Sequence, residues 1–338
     1  MKRININDVA QAAGVHRSTV SRALTGSGPV SPENRGRVLA AVKSLNYHPD
    51  TLAGALKSRR KNTWGFLSFW YYTPNSMDHF YSKALGGLLD AANRAGVRLL
   101  LQNVVGRFDE NEECLRFCHD AQLAGLVVLA PRTREEGLRE LKRLHVPSVL
   151  LSYRAQDPAL SYVDLDNVVG ARLMVEHLGA QGHRRIAYIG GELELSANAR
   201  DRYEGYLQGL AQFSLPVDAD LIRHGSFEPA FAVAALEGFL SLPPARRPGA
   251  LLCATDPMAR AVIDEAQRRG LRVPGDLAVA GFDDNPLVSA GSPSLSTVHY
   301  PFFEAGARAG DIIDSQVKGS EGPARELLQP RLVLRESA

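Results

Sequence analysis

From Trp64 onward the sequence alternates short apolar runs with segments that have helical spacing. The first apolar runs are GFLSFW, VRLLLQN, AGLVVLA and PSVLLSY, and the segments 80–95, 109–121 and 134–144 between them have the periodicity of amphipathic helices. Successive apolar residues, rather than every second one, are typical of strands in a parallel sheet that helices cover on both faces. The same alternation restarts at Arg185 with IAYIGG, helix 200–213, a strand near 221, helix 229–241, GALLCAT, helix 257–269 and LAVAGFDD. The pattern predicts an α/β body of two doubly wound parallel-sheet subdomains.

The first 48 residues follow a different pattern, which predicts an all-α domain. Asn7 is predicted to cap a first helix, Gly14 stands where the chain has to turn sharply, and a second helix is predicted from Arg17. A third helix follows residues 31–33, where a serine cap precedes a proline and a glutamate. The apolar positions that should form the shared core are Val9, Ala10, Ala13, Val38, Val42 and Leu45.

The second helix has a polar face and an apolar face when its residues are placed at about 100° per residue. Arg17, Ser18, Ser21 and Arg22 lie on one side, and Thr19, Val20, Ala23 and Leu24 lie on the other. Two arginines that can bind guanine edges, beside hydroxyls that can reach phosphates, suit a helix in the major groove of DNA. The alternative is an ordinary solvated helix, because any surface helix carries polar residues opposite its apolar stripe.

Positive charge is concentrated at the same end of the chain. The net charge is +2 over the 338 residues, but residues 1–62 contain eleven Lys or Arg and three Asp or Glu, which gives +8 there and −6 for the remainder. A basic head on an ordinary body is typical of a nucleic-acid-binding protein. The start of the chain has no apolar signal core, and no apolar run approaches the roughly 18 to 20 residues of a membrane span, so we expect a cytoplasmic protein without a membrane partner.

The order of residues in the head favours the DNA-binding interpretation. The segment strongly resembles the helix-turn-helix of the LacI/GalR family of bacterial transcription regulators, whose pattern is close to DVAxxAGVSxxTVSRxLN. The matching positions are Asp8, Val9, Ala10, Ala13, Gly14, Val15, Thr19, Val20, Ser21, Arg22 and Leu24. His16 and Thr25 depart from the pattern, and His16 replaces a capping serine with a poorer cap that has a phosphate contact as its alternative role. The predicted DNA contacts in the head are Asn5, His16, Arg17, Ser18, Thr19, Ser21 and Arg22.

The segment after the head, DTLAGAL, has room for a helix of about two turns, which is marginal in water by itself. The resemblance implies a hinge helix that becomes ordered when two subunits and DNA meet, with Leu56 inserted into the minor groove and Ala53 and Lys57 as further contacts. The basic run 57–61 is expected to face phosphates, with a merely solvated run as the alternative. The predicted domains are 1–48 for the head, 49–62 for the hinge and linker, and 63–338 for the effector-binding and dimerisation domain.

The resemblance continues through the body, which carries the motifs VDLDN at 163–167, GHRRIAYIGG at 182–191, RPGALLCATDPMA at 247–259 and GLRVPGDLAVAGFDD at 270–284. Members of the family fold this part like periplasmic sugar-binding proteins, and their chain crosses between two subdomains three times. The likeness implies an N-subdomain of about 64–162 and 295–322, and a C-subdomain of about 163–294 and 323–338. It also implies a homodimer that binds a double-stranded, pseudo-palindromic operator.

Ligands of open α/β sheets bind beyond the carboxyl ends of the strands, which places the predicted effector site between the subdomains. Asp283 and Arg202 match family positions that contact the effector. The other predicted contacts are Tyr71, Tyr72, His79, Phe80, Tyr153, Asp166, Phe227, Thr255 and Asp256. Aromatic faces together with Asp and Arg suit a sugar ring, and core packing is the alternative for each aromatic residue. Ser152 and Tyr153 replace an aspartate and an arginine that are common in the family, so the particular sugar stays open.

Motifs for catalysis and metal binding are missing from the sequence. We find no nucleophile elbow, Walker-type phosphate loop, HExxH or cysteine-pair zinc pattern, and Cys114, Cys118 and Cys253 are predicted to be buried thiols. No catalytic residue, cofactor or metal is therefore predicted. The leading hypothesis is a repressor controlled by a small metabolite, with a sugar as the favoured effector. The alternatives are a nucleobase- or nucleoside-responsive regulator, a cytosolic small-molecule-binding protein without operator function, and an enzyme that uses the cleft.

Overall fold

The computed structural model describes residues 4–25, 28–45, 47, 62–70, 79–108, 112–120, 123–144 and 146–338. The chain divides into two compact units, Met1–Lys61 and Asn62–Ala338, which we call the head and the body. The predicted hinge contacts Ala53, Leu56 and Lys57 and the predicted effector contacts Tyr71 and Tyr72 lie outside the described residues. Among the helices that the structure describes, none is both long enough and apolar enough to cross a bilayer.

In the part of the head that the structure describes there are three helices, α1 (Ile6–Ala13), α2 (Arg17–Thr25) and α3 (Pro32–Ser44). They enclose a small apolar core of Val9, Ala10, Ala13, Val20, Ala23, Val38, Ala41 and Tyr47. Helix α3 begins as predicted, because the Ser31 side chain accepts a hydrogen bond from the backbone N–H of Asn34 and proline occupies the first turn. Each helix is too short to be stable alone, so the shared core has to hold them together.

The described residues of the body form twelve strands. They are β1 (Thr63–Trp70), β2 (Arg98–Val105), β3 (Gly125–Leu129), β4 (Ser148–Leu151), β5 (Ser161–Leu165), β6 (Ile186–Gly191), β7 (Ile222–Gly225), β8 (Ala250–Cys253), β9 (Ala278–Ala280), β10 (Thr297–His299), β11 (Arg325–Leu328) and β12 (Arg331–Val333). A six-stranded parallel sheet has the order β11-β5-β4-β3-β1-β2, and a four-stranded parallel sheet has the order β7-β6-β8-β9. Strands β10 and β12 form an antiparallel ribbon, which joins the end of the second sheet through bridges from Ala280 to Ser296 and from Asp283 to His299.

Nine helices of the described body surround these sheets. They are α4 (His79–Ala95), α5 (Glu112–Asp120), α6 (Arg139–Arg143), α7 (Asn167–Ala180), α8 (Ala197–Gln212), α9 (Pro229–Leu240), α10 (Asp256–Arg268), α11 (Pro286–Ser289) and α12 (Phe302–Val317). Short 3-10 turns occupy Glu135–Leu138, Ala219–Leu221 and Pro244–Arg246. The strand-helix alternation read from the sequence is confirmed, and the body is α/β with two parallel sheets.

Two of the predicted elements differ from the structure. The helix expected over 134–144 is a 3-10 turn followed by the five residues of α6, and no side chain caps its start at Arg134. Strand β2 is not apolar on both faces, since Leu100 and Leu101 remain 43% and 47% exposed. It is an edge strand, because β1 is its one partner in the described sheet, and that position accounts for the exposure.

The places where the chain crosses between the sheets also differ from the predicted boundaries. The boundary predicted between 162 and 163 falls inside strand β5, and the one predicted between 322 and 323 falls just before strand β11. Both strands belong to the six-stranded sheet. The chain therefore leaves that sheet after Leu165 and again after Leu328, a few residues later than predicted. The remaining crossing runs from His299 at the end of β10 to Phe302 at the start of α12.

Candidate functional site

The first helix of the head is capped by Asn5 rather than by the predicted Asn7. The Asn5 side chain accepts a hydrogen bond from the backbone N–H of Asn7, and the Asp8 carboxylate accepts one from the backbone N–H of Asn5. This reciprocal arrangement satisfies two backbone donors at the helix start. Asn5 was predicted as a DNA contact, and in the structure its side chain has this structural role.

Gly14 makes the turn between α1 and α2. Its φ of +61° places it in the left-handed region, and its N–H closes α1 by bonding to carbonyl groups in the last turn. An added Cβ would be strained in that conformation and would meet the Arg37 guanidinium, which donates to the Gly14 carbonyl oxygen over 3.3 Å. Gly14 therefore fixes the angle at which α2 leaves α1.

His16 caps α2 in place of the serine common in the family. Its Nδ1 accepts a hydrogen bond from the backbone N–H of Ser18 at 3.3 Å and lies 2.8 Å from the Ser18 hydroxyl oxygen. The backbone carbonyl oxygen of His16 accepts the N–H groups of Thr19 and Val20. An imidazole thus performs the capping role at the start of this helix.

The two faces of α2 are separated in the structure as the sequence predicts. Val20 and Ala23 are buried in the head core, and Arg17 and Ser18 are exposed. Arg22 is half-buried, and its Nε donates to the carbonyl oxygen of Ser18 over 3.3 Å. The outer face of this short helix thus carries the exposed Arg17 and the partly fixed Arg22, and its inner face packs on the head core.

The predicted effector residue Arg202 is nearly buried, with 4% of its surface exposed, and its guanidinium has several fixed partners. Nε donates to Oδ1 of Asn167 over 2.9 Å, Nη1 donates to the carbonyl oxygen of Ala254, and Nη2 lies 3.3 Å from Oδ1 of Asp283. The guanidinium carbon lies 3.9 Å from the centre of the Phe282 ring, within the range of a cation–π contact. Arg202 therefore links the start of α7, which follows β5 of the first sheet, to residues that follow β8 and β9 of the second sheet.

Asp283 and Thr255, two further predicted contacts, follow strands β9 and β8 at the same edge. Asp283 has a φ of +113°, a strained value for a residue with a side chain, and its backbone N–H donates to Val298. The Thr255 hydroxyl is buried and has no hydrogen-bond partner within the part of the chain that the structure describes. A buried hydroxyl of this kind is costly unless another group binds it, so it is a reasonable ligand contact.

Phe227 lines a small pocket between the two sheets, with a cavity volume of about 40 Å³. The lining residues are Arg132, Glu192, Leu195, Ser196, Gly225, Ser226 and Phe227. Arg132 follows strand β3 of the first sheet and pairs with Glu192, which follows β6 of the second sheet. The pocket is thus built by both halves of the body at the carboxyl ends of their strands, as the general rule for open sheets requires.

His79 and Phe80 begin α4 on the side of the first sheet and are both half-buried. Their rings pack edge to face against Phe302, with centroids 6.2 Å and 5.0 Å from its centroid. Burial, reinforced by Lys83, lowers the pKa of His79, so its neutral form is favoured. Phe302 begins α12 directly after the second crossing, which places these residues beside the junction of the two sheets.

Three predicted contacts have internal roles in the structure. Asp166 caps α7 through a bond from the backbone N–H of Val169, and the Tyr153 hydroxyl is directed at Glu135 over 3.3 Å within the core. Burial raises the pKa of Tyr153 to about 12. Asp256 is fully buried and accepts bonds from the Thr297 hydroxyl and the Asn285 backbone N–H. Their assignment to the effector site stays a prediction, because these contacts explain the residues without a ligand.

Sequence reasoning noted Ser152 but missed three polar residues beside it at the junction of the sheets, namely Asp164, Asn167 and Tyr300. The Tyr300 hydroxyl lies 2.8 Å from the Ser152 hydroxyl oxygen and donates to Oδ1 of Asp164 over 2.9 Å. Asn167 also donates to Asp164 and accepts from Arg202. The motif VDLDN contained the signal, but Asp166 alone was chosen from it. Arg132 was also missed, although it follows a strand end and the rule for open sheets applies to it.

The three cysteines have the predicted buried environment. Burial raises the pKa of both Cys114 and Cys118 to about 12, and burial also holds the pKa of Cys253 well above its ordinary value. Thiols of this kind are poor nucleophiles at neutral pH because so little thiolate is present. In the described ranges, no group of three or more His, Cys, Asp or Glu residues is placed to hold a metal ion.

Comparison with known proteins covers both parts of the chain. Residues 5–50 match the bacterial regulatory proteins of the lacI family, and residues 175–338 match the periplasmic binding protein-like domain. The HTH-type transcriptional repressor PurR of Aliivibrio fischeri (strain MJ11) is 31% identical over 334 residues, which cover 98% of this chain and 97% of that protein. PurR of Vibrio campbellii is 30% identical over 335 residues and 98% of both chains.

Solved structures of similar proteins extend over the same length. The lac repressor dimer bound to operator and the anti-inducer ONPF has a TM-score of 0.89 and 28% identity, with 99% of each chain covered. The complex of the transcriptional regulator CelR with cellobiose has a TM-score of 0.75 and 29% identity, with 99% of this chain and 100% of that chain covered. Since sequence identity, the helix-turn-helix segment and the two-sheet body all agree over nearly the full length, the chain belongs to the lacI family of bacterial regulatory proteins.

Proposed function

We propose that this protein is a homodimeric repressor and that the outer face of α2 reads a pseudo-palindromic operator. Its affinity for that operator changes when a small metabolite binds between the two sheets of the body. The observation that carries the proposal is the outer face of α2. Arg17 and Ser18 are exposed there while Val20 is fully buried beneath them. A helix with this division can enter the major groove without disturbing the core that holds it.

The contacts around α2 support a reading role rather than a merely solvated one. Gly14 and its Arg37 contact fix the turn before the helix, and His16 caps its first residues. These local bonds orient Arg17 and Arg22 before DNA arrives, which lowers the entropy cost of binding.

The pocket of the body supports a small polar ligand with at least one apolar face. Phe227 provides an aromatic ring, and Arg132 and Ser226 provide polar groups around the same space. Thr255, which follows β8 of the four-stranded sheet, has a buried hydroxyl without a partner in the described chain. A sugar ring has both apolar C–H faces and hydroxyl groups, and it suits this lining. The CelR structure contains cellobiose, which is consistent with a sugar as the favoured class here.

The proposed coupling is mechanical. In a dimer, a ligand that draws the two sheets of each subunit together would shift the six-stranded sheets of the two subunits relative to each other. That shift would change the spacing of the two heads on DNA. Allosteric coupling of this kind is usually worth about 1 to 3 kcal/mol, which corresponds to roughly 5- to 150-fold in operator affinity. We propose no catalytic step and no cofactor for the cleft.

The DNA-binding proposal is tested by selecting binding sites for the full-length protein from random duplexes at moderate salt. We expect an enriched sequence with two related half-sites, read by two copies of α2. The control is a variant with Arg17→Ala and Arg22→Ala, which keeps the buried side of α2 and should lose the preference. Failure of the wild-type protein to enrich any sequence, with and without candidate metabolites, would reject the operator function.

The effector proposal is tested separately by thermal-shift screening of the same protein against sugars, sugar phosphates, nucleosides and nucleobases. A ligand at 100 times its dissociation constant stabilises the protein by about 2.7 kcal/mol, which is easily detected as a shift in Tm. We expect a sugar to give the largest shift and Thr255→Val to reduce it. A response to nucleosides or nucleobases alone would replace the sugar with the alternative effector class and leave the regulator intact.

A further inference from the structure

Asp164 is fully buried at the junction of the two sheets, and its two carboxyl oxygens have different surroundings. Oδ1 accepts hydrogen bonds from the Tyr300 hydroxyl at 2.9 Å, the Leu165 backbone N–H at 2.8 Å and the Asn167 side chain at 3.3 Å. Oδ2 is equally buried and has no hydrogen-bond partner among the described residues. A charged oxygen buried without a donor costs more than a neutral hydroxyl in the same place, so this geometry fits the protonated acid.

The groups around Asp164 come from both halves of the body. Asp164 itself lies in β5 of the first sheet, and the Ser152 hydroxyl follows β4 of the same sheet. Tyr300 arrives from the ribbon beside the second sheet, and Arg202 projects from α8 to Asn167. The chain of bonds therefore runs continuously from one half of the body to the other, with the carboxyl of Asp164 near its middle.

The charged and titratable groups that face Asp164 are Asp201 and Arg202 of α8 and the phenol of Tyr300. Burial raises the pKa of Asp164 to about 7, the hydrogen bond from Tyr300 opposes that rise, and the negative charge of Asp201 adds to it. Asp201 is a second acid of the same kind, since burial raises its pKa and its Oδ2 also has no partner within the described chain. Asp164 is thus placed where its charge changes near neutral pH.

We propose that Asp164 is a proton-operated latch between the two halves of the body: the neutral acid holds the junction closed, and loss of its proton to solvent loosens it. The ionised carboxylate requires donors at Oδ2 that the closed junction does not provide. Water supplies them most readily when the elements that cover Asp164 from the two sides separate. The junction should therefore open more often as the pH rises through neutrality, and the closed form should be favoured in a mildly acidic cytoplasm.

This device belongs to the body and needs neither DNA nor effector. Its failure would leave the proposed operator function untouched, and failure of that function would leave the latch untouched. The experiment below accordingly measures the junction itself in the full-length protein without ligand.

Hydrogen exchange of the full-length protein, measured from about pH 6 to about pH 8 and corrected for the intrinsic pH dependence of exchange, reports local opening directly. The informative peptides cover 161–170 and 296–304, which contain Asp164 and Tyr300. For the wild-type protein we expect protection in both peptides to fall together as the pH passes about 7. Asp164→Asn, which keeps the acceptor of Oδ1 and cannot ionise, should retain its protection across the whole range.

Two further variants make the test directional. Tyr300→Phe removes a donor that favours the charged form, so the midpoint should move to higher pH. Asp201→Asn removes a neighbouring negative charge, so the midpoint should move to lower pH. Asp90→Asn, on the exposed side of α4, is the control and should follow the wild type. A wild-type protein without the transition, an unchanged transition in Asp164→Asn, or shifts of the wrong sign in the other two variants would overturn the proposal.

Discussion

Nη2 of Arg202 lies 3.3 Å from Oδ1 of Asp283, and these two side chains expose only 5% and 14% of their surface. The same guanidinium is held by Asn167 and by the carbonyl oxygen of Ala254, and it lies against the Phe282 ring. An arginine with so many fixed partners is oriented before any ligand arrives. The Asp283 carboxylate, which the sequence predicts as an effector contact, is oriented with it.

Replacing Arg202 should destabilise the body strongly. Arg202→Ala removes the guanidinium that faces Asp283 and the donor to the Asn167 side-chain oxygen and the Ala254 carbonyl oxygen. Breaking a buried pair in this way typically costs about 3 to 5 kcal/mol. The free energy of unfolding in urea measures the loss. The control is Arg94→Ala, which removes a surface pair with about half of each side chain exposed. We expect a much smaller loss there, because solvent screens the exposed pair, and equal losses in the two variants would contradict the role given to Arg202.

Replacing Arg22 should weaken specific binding to DNA. The outer face of α2 carries this arginine, and loss of a base-edge contact typically costs about 1 to 3 kcal/mol on the specific site and little on random sequence. Binding of Arg22→Ala to the selected operator and to a scrambled duplex, at one salt concentration, measures the difference. Equal losses on both duplexes would make Arg22 a phosphate contact instead.

Two glycines of the head offer a matched pair. Gly14→Ala places a side chain at a φ of +61°, which should destabilise the head by about 1 to 2 kcal/mol. Gly36→Ala changes a position within α3 where an added Cβ meets nothing within 4 Å. It should stabilise the head by about 0.5 to 1 kcal/mol through helix propensity. Thermal unfolding of the head in each variant gives the sign, and the same sign for both would contradict the prediction.

The stability of the body should depend on the charge of Asp256. Burial raises the pKa of this carboxyl to about 7, whereas an aspartate in an unfolded chain has a pKa of about 3.9. The native state binds one more proton than the unfolded state between these values, so the free energy of unfolding should fall as the pH rises from about 4 to about 7.

Urea unfolding at several pH values measures this slope. Asp256→Asn should reduce the slope without abolishing it, because the raised pKa of Asp164 contributes a slope of the same sign. A slope as steep as that of the wild type in Asp256→Asn would show that the carboxyl is not neutral in the folded protein.

Local pattern predicted most of the fold, because each apolar run and each helical spacing is a property of neighbouring residues. The positions of β1, α4 and β6 follow from such runs directly. Strands β10 to β12 carry no comparable signal, since polar residues interrupt their short apolar stretches and their partners lie far away in the sequence. The same limit explains the shifted crossings, because the motif around β5 does not reveal which sheet the strand joins.

In the candidate site, too, some residues were found from the sequence and others only from the structure. Arg202 and Asp283 were found through the resemblance, and the structure brings them into contact. The sequence left His16 between a poor cap and a phosphate contact, because its capping bond depends on the orientation of the ring relative to Ser18. Asp164 was missed because its importance arises from Tyr300, which lies 136 residues later in the chain.

The closing strands β11 and β12 have a consequence for the order of synthesis. The first completes the far edge of the six-stranded sheet, and the second completes the ribbon beside the other sheet, with only Gln329 and Pro330 between them. The ribosome has to synthesise β11 before the six-stranded sheet is complete, and β12 before the ribbon is complete. Nascent chains that stop before Arg325 would expose two unfinished edges at once, and they would depend on chaperones until translation passes that point.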